Sequence, residues 1–177
     1  MSEIRATCGG FCTIILDMTA TMHRTAEITV SLPSEQAITL FTPEGERRWA
    51  DGWDPRYPQR DRREGPGTVF ITSHGAHQTT WVMVDQRPMS IRYARVVQGM
   101  TAGTIAVEVL GRHEQATDVL VTYDLTALSP AGESWLERFD ADYDAEIAGW
   151  STEIAAALEQ PTSLNQVAIN RAERNGS

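Results

Sequence analysis

After residue 22 the apolar positions alternate with polar ones through most of the chain, then switch near residue 133 to spacings of three and four. The alternation predicts strands and the later spacing predicts a helix, because side chains repeat every 2 residues along a strand and every 3.6 along a helix. From His23 to Leu32 a first strand is expected, with Ala26, Ile28 and Val30 on one face. Pro33-Ser34 opens a short helix with Ser34 as its N-cap and Ala37, Ile38, Leu40 and Phe41 on its apolar side. Pro43 ends it, and Glu44 to Trp49 supplies a second helical turn. Asp51 to Pro66, with three prolines and two glycines, reads as a long loop. Five more strands follow, at Thr68 to Ser73, Gln78 to Val84, Ser90 to Val97, Gly103 to Leu110 and Thr117 to Leu128, separated by hairpin-length turns.

Glu133 to Gln160 is then one amphipathic helix, entered at Ser129-Pro130 and stopped at Pro161. Leu136, Phe139, Tyr143, Ile147, Trp150, Ile154 and Leu158 form a single stripe rich in large rings. Such a stripe must lie against something wide and apolar, and the strands before it are the available surface. The fold class is therefore α+β, a curved antiparallel sheet wrapped around a long C-terminal helix. An arrangement of that kind leaves room for a ligand between sheet and helix.

At 177 residues the chain is expected to form one domain, spanning residues 22–160. Residues 1–21 fit no strand pattern and read as a disordered leader or a mis-assigned start, and residues 161–177 as a flexible tail. Phe11 to Leu16 is the nearest approach to an apolar run, far short of the roughly 20 residues of a membrane span. Cys8 and Cys12 are expected as free thiols and the chain as cytoplasmic. The net charge of -9 is concentrated on the closing helix, whose outer acidic face is expected to be solvated. Such a surface disfavours nucleic acid and anionic lipid. All 15 cations are arginine, so no lysine Schiff base is available.

The pattern Leu40 to Pro58 (LFTPEGERRWADGWDPRYP), Thr117 to Ser129 (TDVLVTYDLTALS) and the aromatic helix resembles the START-like or SRPBCC superfamily, which includes birch-pollen-allergen-like proteins and polyketide cyclases. The resemblance covers about Met22 to Gln160 and implies the helix-grip fold with two short helices after the first strand. It also implies a seven-stranded sheet. Six strands are read here, and a seventh would come from splitting the strand at Thr117 or from a short edge strand in the Pro-rich loop.

Strand parity turns Val119, Val121, Tyr123 and Leu125 toward the helix, and sets Tyr93 in step with Ile91 and Met89. A phenol in an apolar space needs a hydrogen-bond partner, in the core or on a ligand. Trp81 shares a face with Met83, and Trp49 and Trp53 flank the loop over the open end of the grip. The expected pocket is thus Trp49, Trp53, Trp81, Met83, Tyr93, Val121, Tyr123, Phe139, Tyr143 and Ile147. Six arginines between Glu44 and Arg63 are balanced by Glu44, Glu46, Asp51, Asp54, Asp61 and Glu64, so they are expected to pair and fix the loop, with Arg47 or Arg48 free to hold a ligand carboxylate.

His74 and His77 fall in a tight hairpin with no third ligand nearby in sequence, so no metal is expected, and no motif calls for a cofactor. Nucleophile elbows and dinucleotide fingerprints are missing. The expected function is non-covalent binding of a small hydrophobic or amphipathic molecule by a monomer or homodimer. The alternative is a cyclase, dehydratase or hydrolase that uses Tyr93 and Tyr123 for general acid–base assistance. A third reading, a chaperone-cofactor-like interaction module, calls for an exposed apolar patch.

Overall fold

Six antiparallel strands make one sheet in the order β1-β6-β5-β4-β3-β2, so the first strand pairs with the last and the middle strands follow as hairpins. In the computed structural model residues 20–59, 65–75, 77–112 and 115–159 are described; Cys8, Cys12, residues 1–19 of the expected leader and all of the expected tail at 161–177 lie outside them. The elements are β1 (Thr21–Val30), α1 (Ser34–Ala37), a 3-10 turn (Ile38–Phe41), α2 (Pro43–Glu46), β2 (Val69–His74), β3 (His77–Arg87), β4 (Ser90–Val97), β5 (Thr101–Arg112), β6 (Thr117–Ala127) and α3 (Pro130–Glu159). This is the helix-grip arrangement: a curved sheet, two short helices after the first strand and one long helix of about 45 Å. No described helix is long and apolar enough to cross a membrane.

Three local expectations change. β1 begins at Thr21 rather than His23, because its ladder to β6 continues to Thr21 opposite Thr126. Ser34 is not the cap of α1; Pro33 holds that place, and its carbonyl accepts from the N–H groups of Gln36 and Ala37, each at 2.9 Å. Pro43 does more than stop a helix. It is the first residue of α2, where a missing N–H costs nothing, and the Thr42 side chain caps that turn by accepting from the Gly45 N–H at 3.0 Å.

The Pro-rich loop does supply a trace of the extra edge strand. Arg56 exchanges two backbone hydrogen bonds of 2.9 Å with Ile71, an isolated bridge against the free edge of β2. Two bulges curve the sheet, one at Val84 in β3 and one at Leu110 in β5. Each inserts a residue that faces water, which accounts for the exposure of two large apolar side chains. Gly103 allows β5 to press on β6, since a Cβ there would lie 1.9 Å from the Asp124 carbonyl oxygen.

α3 is pinned to β1 and β6. Leu136, Tyr143, Ile147 and Ile154 are fully buried in this seam, and each aliphatic member contributes about 1.5–3 kcal/mol by leaving water. Ser129 starts the helix, its hydroxyl accepting from the Gly132 N–H at 3.1 Å and donating to the Gly99 carbonyl at 2.6 Å. Arg24, on the inward face of β1, donates to the Asp140 carbonyl at 3.0 Å and to the Asp144 carboxylate at 2.8 Å. Those two acids are thus tied to the sheet rather than simply solvated, a correction to the expected outer face.

The Tyr143 hydroxyl donates to the Val121 carbonyl at 2.8 Å across the seam. Tyr143→Phe keeps the ring and removes only that bond, so it should cost about 1 kcal/mol of unfolding free energy in a urea titration. An unchanged midpoint would mean that the bond contributes nothing to the grip.

Candidate ligand-binding cavity

Because α3 leans on β1 and β6, the strands beyond them are left to close on something else. Between that part of the sheet, the helix and the α2 loop lies a cavity of about 480 Å³. Trp81, Tyr93, Arg95, Ile105 and Tyr123 form its sheet wall. Trp135, Phe139 and Trp150 form its helix wall, and Glu46, Trp49 and Trp53 its loop wall. Another hollow of about 370 Å³, between the 3-10 turn and the β3–β4 turn, has no aromatic lining.

The helix presents two stripes rather than one. Leu136, Tyr143, Ile147 and Ile154 enter the seam, while Trp135, Phe139, Glu146, Trp150 and Glu153 follow the neighbouring row and look into the cavity. Glu146 and Glu153, expected on the solvated face, therefore rim the opening and remain exposed.

Rings wall the space in three groups. Phe41, Trp49 and Trp150 meet at centroid distances of 5.4 to 6.4 Å and close one end. Phe70 and Trp81, opposite one another on β2 and β3, lie parallel at 5.8 Å, and Trp53 stands edge-on to both. Trp135 stacks on Phe139 at 4.8 Å, and Phe139 abuts Tyr123 at 5.4 Å. The indoles of Trp49 and Trp53 donate to the carbonyls of Leu40 and Pro43, both at 2.8 Å, so the loop rings are held from behind. Trp81 donates to the Thr72 hydroxyl at 2.9 Å.

Three inward tyrosines have different fates. Tyr93 donates to the Phe41 carbonyl at 2.9 Å and Tyr143 to Val121, so both hydroxyls are used by the fold. Tyr123 has no hydrogen-bond partner among the described residues, and no fully enclosed side-chain polar atom there lacks one. Its hydroxyl is therefore reached from the cavity. Burial pushes its pKa up, with Glu46 and Glu146 adding to the shift and Arg95 opposing it, so the phenol is a proton-bearing donor at neutral pH.

Two polar groups that the sequence reading did not place here share the space. Glu46 lies half-buried on the loop wall, and burial holds its carboxyl well above the usual carboxylate range. It lies three residues before Trp49, whose N–H donates to its carbonyl in the turn after α2, a signal hidden by its neighbouring arginines. Arg95 continues the inward parity of Ile91 and Tyr93. Its guanidinium donates to the Thr101 hydroxyl at 3.0 Å and lies 5.7 and 5.3 Å from the ring centres of Trp81 and Trp135.

Of the residues expected to form the pocket, Trp49, Trp53, Trp81, Tyr93, Tyr123 and Phe139 line this cavity. Val121, Tyr143 and Ile147 do not; they are consumed in the helix–sheet seam at 0–1% exposure. Met83 instead lines a small hollow under the loop with Tyr57 and Thr68. Arg47 is engaged by Glu44 at 3.0 Å and Asp54 at 2.7 Å, and Arg48 points to solvent, so neither reaches the cavity. No cluster of three or more metal-ligating side chains occurs among the described residues.

No family model and no curated protein matches the chain by sequence. Solved structures do match by shape. Norcoclaurine synthase from Thalictrum flavum aligns with a TM-score of 0.60 over 90% of this chain and 100% of that one, at 11% identity. The Zhui aromatase/cyclase from a Streptomyces species gives 0.55 over 78% and 94% at 14% identity. The Mll3558 protein from Rhizobium loti gives 0.54 over 80% and 99% at 20% identity. The fold is thus the helix grip of these structures. Norcoclaurine synthase has also been crystallised in complex with dopamine and hydroxybenzaldehyde.

Glu46 allows a test of the polar wall. Its native pKa lies above the ordinary 4.5, so the folded state keeps a proton that the unfolded chain has released. Stability linked to this group is full below 4.5 and falls as pH rises through the native value. Glu46→Gln should flatten the decline in melting temperature as pH rises above the ordinary 4.5. A variant profile parallel to that of the wild type would put the carboxyl in contact with bulk water.

Proposed function

We propose that the chain is a non-covalent carrier or sensor of one small, largely aromatic molecule held in the cavity between sheet and α3. The observation that carries this reading is the free hydroxyl of Tyr123 set among three groups of rings. The volume falls in the range of about 300–1,000 Å³ that encloses small ligands, and the lining of rings with a few placed polar groups is the usual composition of such sites. A flat ring system gains from stacking against the indole walls, and a single hydroxyl or carbonyl on it finds Tyr123 as donor. The same fold in norcoclaurine synthase holds dopamine and hydroxybenzaldehyde, which are small aromatic molecules with polar substituents.

One observation favours a second reading. A carboxyl at Glu46 whose pKa is raised by burial and a protonated phenol at Tyr123 face one space, and a group able to take up and return a proton beside a fixed donor is what general acid–base assistance requires. A cyclase or dehydratase would use Glu46 to exchange a proton with the bound substrate and Tyr123 to steady a developing oxyanion. Fold likeness to a synthase and an aromatase/cyclase is an analogy and adds little by itself. The interaction-module reading gains less, since the exposed large apolar side chains Val84, Val96, Leu110 and Leu128 belong to four different segments.

The test uses 2-naphthol, a ring pair with one hydroxyl. Titration calorimetry should give saturable one-to-one binding, and Tyr123→Phe should weaken it about fivefold, the effect of one hydrogen bond. The melting temperature should move by no more than about 2 °C, because no protein partner is lost. A large loss of stability with unchanged affinity would make Tyr123 a core residue. Trp53→Ala, which opens the loop wall, should speed both entry and exit of 2-naphthol in stopped-flow fluorescence. Unaltered rates would take this loop out of the ligand's path.

A further inference from the structure

Arg95 is the one arginine on the cavity wall among the described residues, and its setting differs from that of Arg24 and Arg87. Arg24 and Arg87 each face a carboxylate, at 2.8 Å in both cases. Arg95 is paired with no carboxylate among the described residues. Its side chain is largely withdrawn from water, held by Thr101 and lying between the faces of Trp81 and Trp135. Across the ladder it stands opposite Gly103, so no side chain fills the space on that side.

A guanidinium placed against two indole faces keeps its N–H edges in its own plane, where they remain able to donate. One donates to Thr101, leaving others to the cavity. The acids nearby do not satisfy them. Burial draws the Glu46 carboxyl toward its neutral form, and Glu146, on the exposed rim, forms no ion pair among the described residues. A second hollow of about 350 Å³, toward the β2–β3 turn, also has Arg95, Trp135 and Glu146 in its wall, so the guanidinium stands where the two spaces meet.

We propose that Arg95 is an anion subsite and that the ligand is an aromatic acid, its rings among Trp53, Trp81 and Trp150 and its carboxylate, sulfonate or phenolate on the guanidinium. The inference rests on the cavity being a ligand site, and it narrows the ligand from any small aromatic molecule to an amphipathic monoanion. The ion pair replaces water on a cation already partly desolvated by the fold, which is where a charge-assisted hydrogen bond is strongest.

The test compares two probes of one skeleton, 8-anilinonaphthalene-1-sulfonate and its neutral counterpart N-phenyl-1-naphthylamine, in the full chain. Both should bind one-to-one and displace each other. Arg95→Met should weaken the sulfonate about tenfold or more and change the neutral amine less than about twofold. Arg95→Gln, which keeps a donor for Thr101, should give the same selective loss and serves if the first variant does not fold. Equal losses for both probes, an unchanged sulfonate affinity, or binding of the amine alone to the wild type would overturn the anion subsite and leave the cavity reading intact. Failure of both probes to bind the wild type would overturn both.

Discussion

The seam between α3 and the β1–β6 pair is the interaction on which the rest of this molecule depends. Tyr143 ties the helix to the Val121 carbonyl, Arg24 ties it to two acids, and Gly132 lets its first turn approach the Met100 carbonyl so closely that a Cβ would sit 1.9 Å away. These contacts fix the helix to one side of the sheet. Since the sheet curves away through its two bulges, a helix fixed at one side cannot also fill the other. The cavity is thus a consequence of where the helix is fastened and needs no separate device to hold it open.

What lines the cavity follows from the same geometry. A row of residues one step round the helix from the seam must face the space, and in this chain that row carries rings and two acids. The loop between α2 and β2 closes the end. It can do so because Arg47 is held by Glu44 and Asp54 and because its two indoles donate to carbonyls behind them. The wall is therefore stiff and ready for a flat ligand, which reduces the ordering cost of binding.

Nearly all of the architecture was legible in the sequence. Strand positions came from parity alone, and the closing helix from its three-and-four spacing. The boundaries that moved did so for local reasons: Pro33 rather than Ser34 supplies the acceptor at the start of α1, and β6 draws β1 out to Thr21. The site was legible only in part. Parity says that Tyr93 and Tyr123 both face inward, but not that the Phe41 carbonyl waits for one hydroxyl and no partner among the described residues waits for the other. Likewise one apolar stripe on α3 does not reveal that half of it is spent in the seam. Glu46 and Arg95 went unplaced because charged residues are ordinarily assigned to water, although strand parity turns Arg95 inward and Glu46 stands one turn before Trp49.

That failure carries information. A polar residue at an inward position lowers the stability of a core unless something satisfies it, and natural chains tolerate such conflicts mainly at functional sites. Here the three conflicts are a carboxyl whose pKa burial raises, a neutral phenol and a cation paired with no carboxylate among the described residues. They converge on one space that is otherwise apolar. An apolar ligand alone would leave all three as they are. A ligand that offers an acceptor to Tyr123 and a negative charge to Arg95 removes two of the conflicts at once. The residues least favourable to the empty fold are thereby the ones that favour the occupied one.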